Sequence, residues 1–560
     1  MPLENRDADH GHRKVIADVV VVGAGLSGLV AAATAYAAGK TVALVDQEPA
    51  ASVGGQAHWS FGGLFMVNTP EQRRLGVKDS AELALSDWLA SAAFDRTSDN
   101  HAREWAEAYV HFASGEMRAW LRSLGVGIFP LVQWAERGGY GPQGHGNTVP
   151  RFHLTWGTGP ALVEPFLAKV REGLGAGRVS LHFRHRASSL TTSSGRVTGV
   201  SGELLEDSTA ARGQASGRGV VGSFEAEAAA VVVTLGGIGG NHQAVRGQWP
   251  GHGAPDYMLS GVPASVDGEF LSVVESAGAS LVNTDRMWHY PEGIHNDDPV
   301  WPKHGIRILP GPSSLWLDAE GHQLPAPLFP GFDSQGALRH IVGTGHGYSW
   351  FVLNRTIALK EMALSGSEQN PDLTGKNVRL LASRLRPTAD SPIQHFMDKG
   401  VDFLQASTPA GLATRMNQLA QNTFIDAAGL EAIIRARDNQ VASGLGKDPQ
   451  LAAIRAARRF ATDKLMRVAP PHRLTDPDHG PLMAIRLSIL TRKSLGGITT
   501  DLNSRVVDRE GVAVPGLYAA GEAAGFGGGG VHGYRALEGT FLGGCLFTGR
   551  AAGRHAAASV

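Results

Sequence analysis

The chain has 560 residues, with 51 Lys and Arg against 52 Asp and Glu, a net charge of −1 and a single cysteine, Cys545. That length exceeds what one hydrophobic core ordinarily supports, so two domains or more are expected. The charge balance argues against nucleic acid or an anionic membrane as the main partner, and one cysteine excludes an intrachain disulfide and points to a reducing compartment.

Met1–Lys14 is polar and charged, and reads as a disordered tail rather than a secretory signal. No run of about twenty apolar residues is present to span a bilayer, so a cytoplasmic protein is expected. Val19–Val22 then reads as a buried strand, and Gly23, Gly25 and Gly28 form Gly-x-Gly-x-x-Gly at the turn into an Ala-rich helix. A second strand, Thr41–Val45, ends on Asp46. Gly23 permits the tight turn, Gly25 lets backbone approach a pyrophosphate, and Gly28 allows close helix–strand packing. The helix N-terminus offers N–H groups to phosphates, and Asp46 can accept from a ribose hydroxyl. Strand, glycines, helix, strand and terminal acid in that order imply a bound dinucleotide.

Gly54 to Gly63 is a glycine-punctuated loop suited to wrapping the middle of a long cofactor. Helical spacing follows over Ser80–Ala93, Asn100–Leu124 and Ala161–Leu174, and Tyr140, in Gly138–Pro142, is a candidate for a mobile lid. Val179–Val221 alternates and is rich in turns, with a hairpin signal at Gly195–Val200. Ala228–Leu235 is a continuous apolar strand closed by a second glycine cluster, Gly236 to Asn241. Residues 285–410 hold many aromatics, prolines and histidines with little regular alternation. Residues 411–468 read as helices, and Pro470-Pro471 breaks that pattern. Regular α/β texture returns at Leu495–Asp501 and Val512–Glu522. Gly525–Gly530 and Val531-His532-Gly533-Tyr534-Arg535 follow, then a helix over Ala536–Ala556. The expected division is a tail (1–14), a dinucleotide domain in two pieces (15–284 and 471–560) and an inserted capping domain (285–470).

Read in order, Gly23–Gly28 with Asp46, Gly54–Gly63, Val231–Asn241, Leu495-Gly496-Gly497 with Asp501, and Leu517–Glu522 resemble the fumarate reductase/succinate dehydrogenase flavoprotein superfamily. The resemblance covers roughly the first 240 and last 75 residues. It implies an α/β fold: a Rossmann-type (GR2-like) FAD-binding domain built from both chain ends, with an inserted α+β capping domain. The implied cofactor is FAD, cradled by Gly23, Gly25, Leu26, Ser27 and Gly28, by Asp46 and Gln47, and by Gly54, Gly55, Gln56, Ser60, Gly62 and Gly63. Ala187, Leu235, Gly236, Gly237, Asn241 and Asp267 extend that set, and Gly521, Glu522, Gly539 and Thr540 complete it from the far end of the chain. Covalent members carry a histidine just before the first Gly-Gly; His58 is offset from that position, so FAD is expected to be non-covalent.

Within the superfamily the chain is most similar to the 3-ketosteroid dehydrogenase-like branch. Fumarate reductases place a histidine before the Gly-Gly matching Gly496-Gly497, whereas Thr491–Leu495 holds none, and Arg307 is the nearest counterpart of their proton-delivering arginine. The branch implies removal of two hydrogens from adjacent carbons beside a ketone, with a proton taken by a Tyr or His base and hydride passing to flavin N5. The substrate is then an apolar ketone or steroid, and the electron acceptor is unassigned. Counting from Gly521, His532 falls about where that branch carries its catalytic tyrosine, and Tyr534 lies two residues on. The candidate catalytic residues are His532, Tyr534, Arg535, His289 and Tyr290, with His346 and Tyr348 as possible cap contributions. No tight His, Cys or carboxylate spacing suggests a metal. Fumarate-type alkene reduction and a flavoprotein without turnover are the competing readings.

Overall fold

The computed structural model describes residues 12–139, 145–251, 253–383 and 392–560, so the candidate lid residue Tyr140 lies outside the described residues. Four consecutive valines, Val19–Val22, form a strand buried on both faces, as expected where helices cover a parallel sheet. It pairs in parallel with Val42–Asp46 on one side and Ala230–Val233 on the other. The full six-stranded order is Arg505–Val507, Ala513–Ala519, Ala230–Val233, Val19–Val22, Val42–Asp46, Val179–Phe183, so the sheet draws strands from both ends of the chain.

The helix Leu26–Ala37 packs against the last helix, Thr540–Ala558. Small residues allow the approach: a Cβ on Gly549 would lie 2.6 Å from the Ser27 carbonyl oxygen, and one on Gly553 would lie 2.4 Å from that of Ala31. The last helix starts at Thr540 rather than Ala536, because Gly539, with φ +92°, makes the turn into it.

Two further sheets carry most of the remaining strands. His12–Ile16 lies beside Val220–Glu227, which pairs in turn with Arg196–Leu205 and then His185–Ser193. The expected tail is thereby corrected: residues 12–14 are an edge strand, held by parallel backbone pairing from His12–Ser223 to Ile16–Glu227 and by a 2.7 Å ion pair, Lys14–Glu227. Backbone bonds hold an edge strand without apolar side chains, so its polarity hid it.

The second large sheet is built around Leu482–Ser494, which pairs with Tyr348–Asn354 and Met287–His295. Gly305–Leu309 adds to the outer edge of Met287–His295. Residues 285–410, irregular by sequence pattern, thus supply strands. Met287–His295 contains Pro291, which cannot donate to the ladder, and its register shifts between Trp288 and Tyr290 and again between Tyr290 and Gly293, the interval that holds the proline. No helix among the described residues is long and apolar enough to cross a membrane.

Candidate active site

Residues from both large sheets wall a cavity of about 680 Å³. Its floor is the glycine turn. Gly23 (φ +107°) donates from its N–H to the Val45 carbonyl at 2.8 Å, and a Cβ on it would strike Thr234. A Cβ on Gly28 would sit 1.9 Å from the Gly23 carbonyl oxygen, so helix and turn are in contact there. Gly25 differs: it lines the cavity, and a Cβ would meet no protein atom within 4 Å. That is the space a diphosphate needs at a helix N-terminus. At the neighbouring strand end, Asp46 accepts from the Ala24 N–H at 2.6 Å and the Glu48 N–H at 2.8 Å, while burial pushes its pKa up to about 6.

The expected cradle residues divide into two sets. Gly23, Gly25, Leu26, Ser27, Asp46, Gln47, Gly55, Gln56, Ser60, Gly62 and Gly63 line the cavity, as do Leu235, Gly236, Asn241, Asp267, Glu522 and Gly539. Gly28, Gly54, Gly237, Gly521 and Thr540 stand one layer behind, where they let neighbours close up. A Cβ would meet Val163 at 2.9 Å from Gly54, Glu522 at 2.4 Å from Gly237 and Ser27 at 2.4 Å from Gly521. Thr540 is buried against His532. Ala187 lines a smaller adjoining cleft with Asp46, Gln47 and Asp267.

At the far end the wall becomes aromatic and charged. Tyr290, Arg307, Arg492, Lys493, Glu538 and Phe541 face the cavity beside Leu309 and Leu490. Arg307 is buried, and its two terminal nitrogens are hydrogen-bonded while its Nε is not. It bonds Glu538 at 2.6 Å, Glu136 at 2.9 Å and Ser334 at 3.0 Å, approaches Glu292 at 3.5 Å, and lies 3.7 Å over the Tyr290 ring. The Tyr290 hydroxyl donates to the same Glu538 oxygen at 3.3 Å. Burial, then the Glu538 charge, raise the Tyr290 pKa and hold the phenol protonated. Lys493 rests its ammonium 4.2 Å from the Phe541 ring centroid and finds no hydrogen-bond acceptor among the described residues. Burial and neighbouring Arg492 bring its pKa down to about 7.

Residues 18–542 match the family described as FAD binding domain. The chain belongs to the FAD binding domain family. It is 60% identical over 546 residues to a KsdD-like steroid dehydrogenase of Mycolicibacterium smegmatis, covering 97% of this chain and 99% of the relative. A KsdD-like steroid dehydrogenase of Mycobacterium tuberculosis is 58% identical over 549 residues, 97% and 96% of the two chains. The structure of 3-ketosteroid delta1-dehydrogenase from Sterolibacterium denitrificans superposes with a TM-score of 0.67 at 18% identity, covering 97% of this chain and all of that one (100%). The mixed α/β fold is therefore that of FAD-binding enzymes. The resemblance to the 3-ketosteroid dehydrogenase-like branch holds, the cofactor is FAD, and the protein is an FAD-dependent oxidoreductase acting on CH–CH groups. The open space at Gly25, the acid at Asp46 and the volume of the cavity all suit that cofactor.

Of the five expected catalytic residues in this FAD binding domain protein, Tyr290 reaches the cavity and the other four do not line it. His532 stacks on Trp88 at 5.7 Å, bonds Thr540 through Nε2 at 2.9 Å, and is held neutral by burial, with its pKa near 3. Tyr534 donates to Asp95 at 3.1 Å beneath the Arg286 guanidinium, and Arg535 pairs with Asp333. Their segment turns away for a local reason. Gly533 is pressed on the end of the helix Ala81–Ala92, where a Cβ would meet the Ala92 carbonyl oxygen at 2.1 Å; that oxygen also accepts the Tyr534 N–H. His289 accepts the Arg492 N–H at 3.0 Å and stacks on Trp249. His346 faces Glu320, and Tyr348 accepts from Asn422, both outside the cavity lining. Glu538, Lys493 and Glu136 carried no expectation. The one available signal was the Arg492-Lys493 pair at the end of the long strand Leu482–Ser494, shortly before Gly496-Gly497.

Proposed function

We propose that the protein oxidises a carbon–carbon single bond beside a ketone, with a 3-ketosteroid as substrate. The observation that carries this reading is the state of Arg307. Three carboxylates, Glu136, Glu292 and Glu538, already surround the guanidinium. A dicarboxylate would meet those charges before it met a free cation, which weighs against fumarate reduction. An apolar ketone needs only donors at one oxygen and apolar surface elsewhere. Leu309, Leu490, Phe152 and Phe541 supply that surface.

Bound FAD supplies the hydride acceptor. Tyr290 and Glu538 serve as one acid–base pair: the phenolic oxygen takes the proton from the carbon beside the carbonyl while its own proton passes to Glu538 across their hydrogen bond. A free phenolate, which burial disfavours here, is avoided. Arg307 positions both groups, and the unpartnered Lys493 ammonium holds the ketone oxygen as it gains charge. The cofactor domain is read as coming from both chain ends, with residues 285–470 as the cap that contributes Tyr290 and Arg307. FAD is read as non-covalent: His58 packs edge-on against Trp59 and stands outside the cavity lining. The likeness to KsdD-like steroid dehydrogenases supports the substrate class.

Anaerobic addition of a 3-ketosteroid to the FAD-replete protein is expected to bleach the flavin band. Tyr290→Phe should slow that bleaching by about 10²–10⁴-fold with FAD content unchanged, the usual weight of a positioned acid–base group. A fully flavinated protein that no member of a steroid panel bleaches would reject the substrate class.

A further inference from the structure

The hairpin between strands Arg196–Leu205 and Val220–Glu227 carries a long connection, residues 206–219, with an exposed outer side and an inner side turned to the cavity. Arg212, Gly213, Gln214, Ala215 and Ser216 on it line the cofactor cavity. Its root is tied to the strand end that bears Asp46. Arg184, buried and at φ +61°, donates to the Glu206 carbonyl at 2.9 Å, to the Gln47 carbonyl at 2.8 Å and to Ser216 Oγ at 2.8 Å. Arg218 pairs with Glu48 at 2.6 Å. Its crest is seated on the opposite wall. A Cβ on Gly213 would lie 2.9 Å from Trp59 and 3.1 Å from Val300, and Trp59 meets Trp301 edge to face at 5.4 Å. The segment therefore spans the cavity from the cofactor sheet to the capping side.

Of the four arginines that line the cavity, Arg212 and Arg492 form no ion pair among the described residues; Arg492 donates to the Gly261 carbonyl, and Arg212 is the one bonded next to the segment that reaches Gly25. Arg218 is paired with Glu48, and Arg307 with three glutamates. Arg212 donates to the Val53 carbonyl and forms no ion pair among the described residues. Val53 immediately precedes Gly54, which bridges to Gly25 at the open end of the helix. The guanidinium is thus placed beside the space left at Gly25, and burial alone perturbs it. A glycine turn offers a diphosphate N–H groups and a dipole but no full positive charge.

We infer that residues 206–219 form a strap over bound FAD, with Arg212 supplying the counter-charge to its pyrophosphate. Arg212→Ala should speed FAD release from the holoenzyme, followed by flavin fluorescence on dilution, and weaken equilibrium binding by about 10- to 100-fold, the range for a hydrogen bond to a charged group. Arg212→Lys should restore part of the affinity. On the apoprotein, ADP should raise the melting temperature less in Arg212→Ala than in wild type, while adenosine acts equally on both. Wild-type FAD release and affinity in Arg212→Ala would overturn the assignment, as would equal losses for ADP and adenosine. If Arg212→Ala does not fold, Arg212→Gln takes its place with the same two readouts. Neither readout involves substrate, so these outcomes stand apart from the steroid test.

Discussion

Glu292 is the least comfortable charge around Arg307. Glu136, despite its burial, is kept below the usual carboxylate range by its contact with His145 and by Arg307. Glu292 has a longer approach to the guanidinium, 3.5 Å, and burial outweighs it, pushing the pKa up to about 7. A carboxyl whose pKa is raised in the folded state binds a proton there that the unfolded chain has lost. Its stabilisation is present below the unfolded value and disappears as pH climbs through about 7. Glu292→Gln removes that titration. The unfolding free energy of Glu292→Gln relative to wild type should therefore rise with pH, by on the order of 2 kcal/mol between pH 4.5 and pH 8. Denaturant titrations at several pH values measure it, and a difference that stays flat with pH would show that Glu292 is ionised throughout. At this scale the sequence was only partly legible. Tyr290 could be read from a polar aromatic cluster, because such a cluster beside a domain crossover is a local signal. His532 could not, since its position relative to Gly521 says nothing of Gly533 seating on Ala92 and carrying the segment away from the cavity. Lys493 and Glu538 line the same cavity from separate segments, and no spacing rule relates them.

At the scale of the element, Gly25 and Gly28 belong to one motif and do opposite jobs. Gly25→Ala places its methyl in the cavity, where no protein atom opposes it, and changes only the residue that caps the helix. Apoprotein stability should fall by no more than about 1 kcal/mol, the usual weight of an N-cap, while FAD retention drops sharply. Gly28→Ala drives a methyl to 1.9 Å from the Gly23 carbonyl oxygen. The turn must open, and a loss of about 3 kcal/mol or more, as for a severe overpacking change, is expected before any cofactor is added. Melting curves of the two apoproteins beside their flavin content separate the roles; similar melting behaviour would show that the clash at Gly28 relaxes freely. The motif was legible because strand, turn and helix are contiguous and each glycine answers to a neighbour a few residues away. Leu482–Ser494 was not. It falls in the stretch assigned to the cofactor domain, yet its partners Met287–His295 and Tyr348–Asn354 come from the middle of the chain.

For the whole molecule, the cavity is the meeting point of chain segments that are far apart in sequence. Its lining runs from Gly23 to Cys545, and both large sheets contribute to it. The two-ended assembly could be inferred from the order of the glycine motifs, whereas the strap at 206–219 and the charge cluster at Arg307 could not, since both depend on packing between distant segments. FAD in a cavity of about 680 Å³ makes dispersion contacts with both walls. It binds the folded chain alone, so folding and cofactor binding are linked. Removing FAD should lower the melting temperature of the whole chain in one cooperative transition, because both large sheets line the cavity that holds it. Adding FAD back should raise it continuously with concentration, in proportion to about 2.7 kcal/mol of stabilisation at a hundredfold excess over the dissociation constant. Calorimetry across a series of free FAD concentrations measures that dependence. A melting temperature that does not move with FAD would place the cofactor outside the cooperative unit. Two transitions, only one of them FAD-sensitive, would instead show that the walls unfold separately.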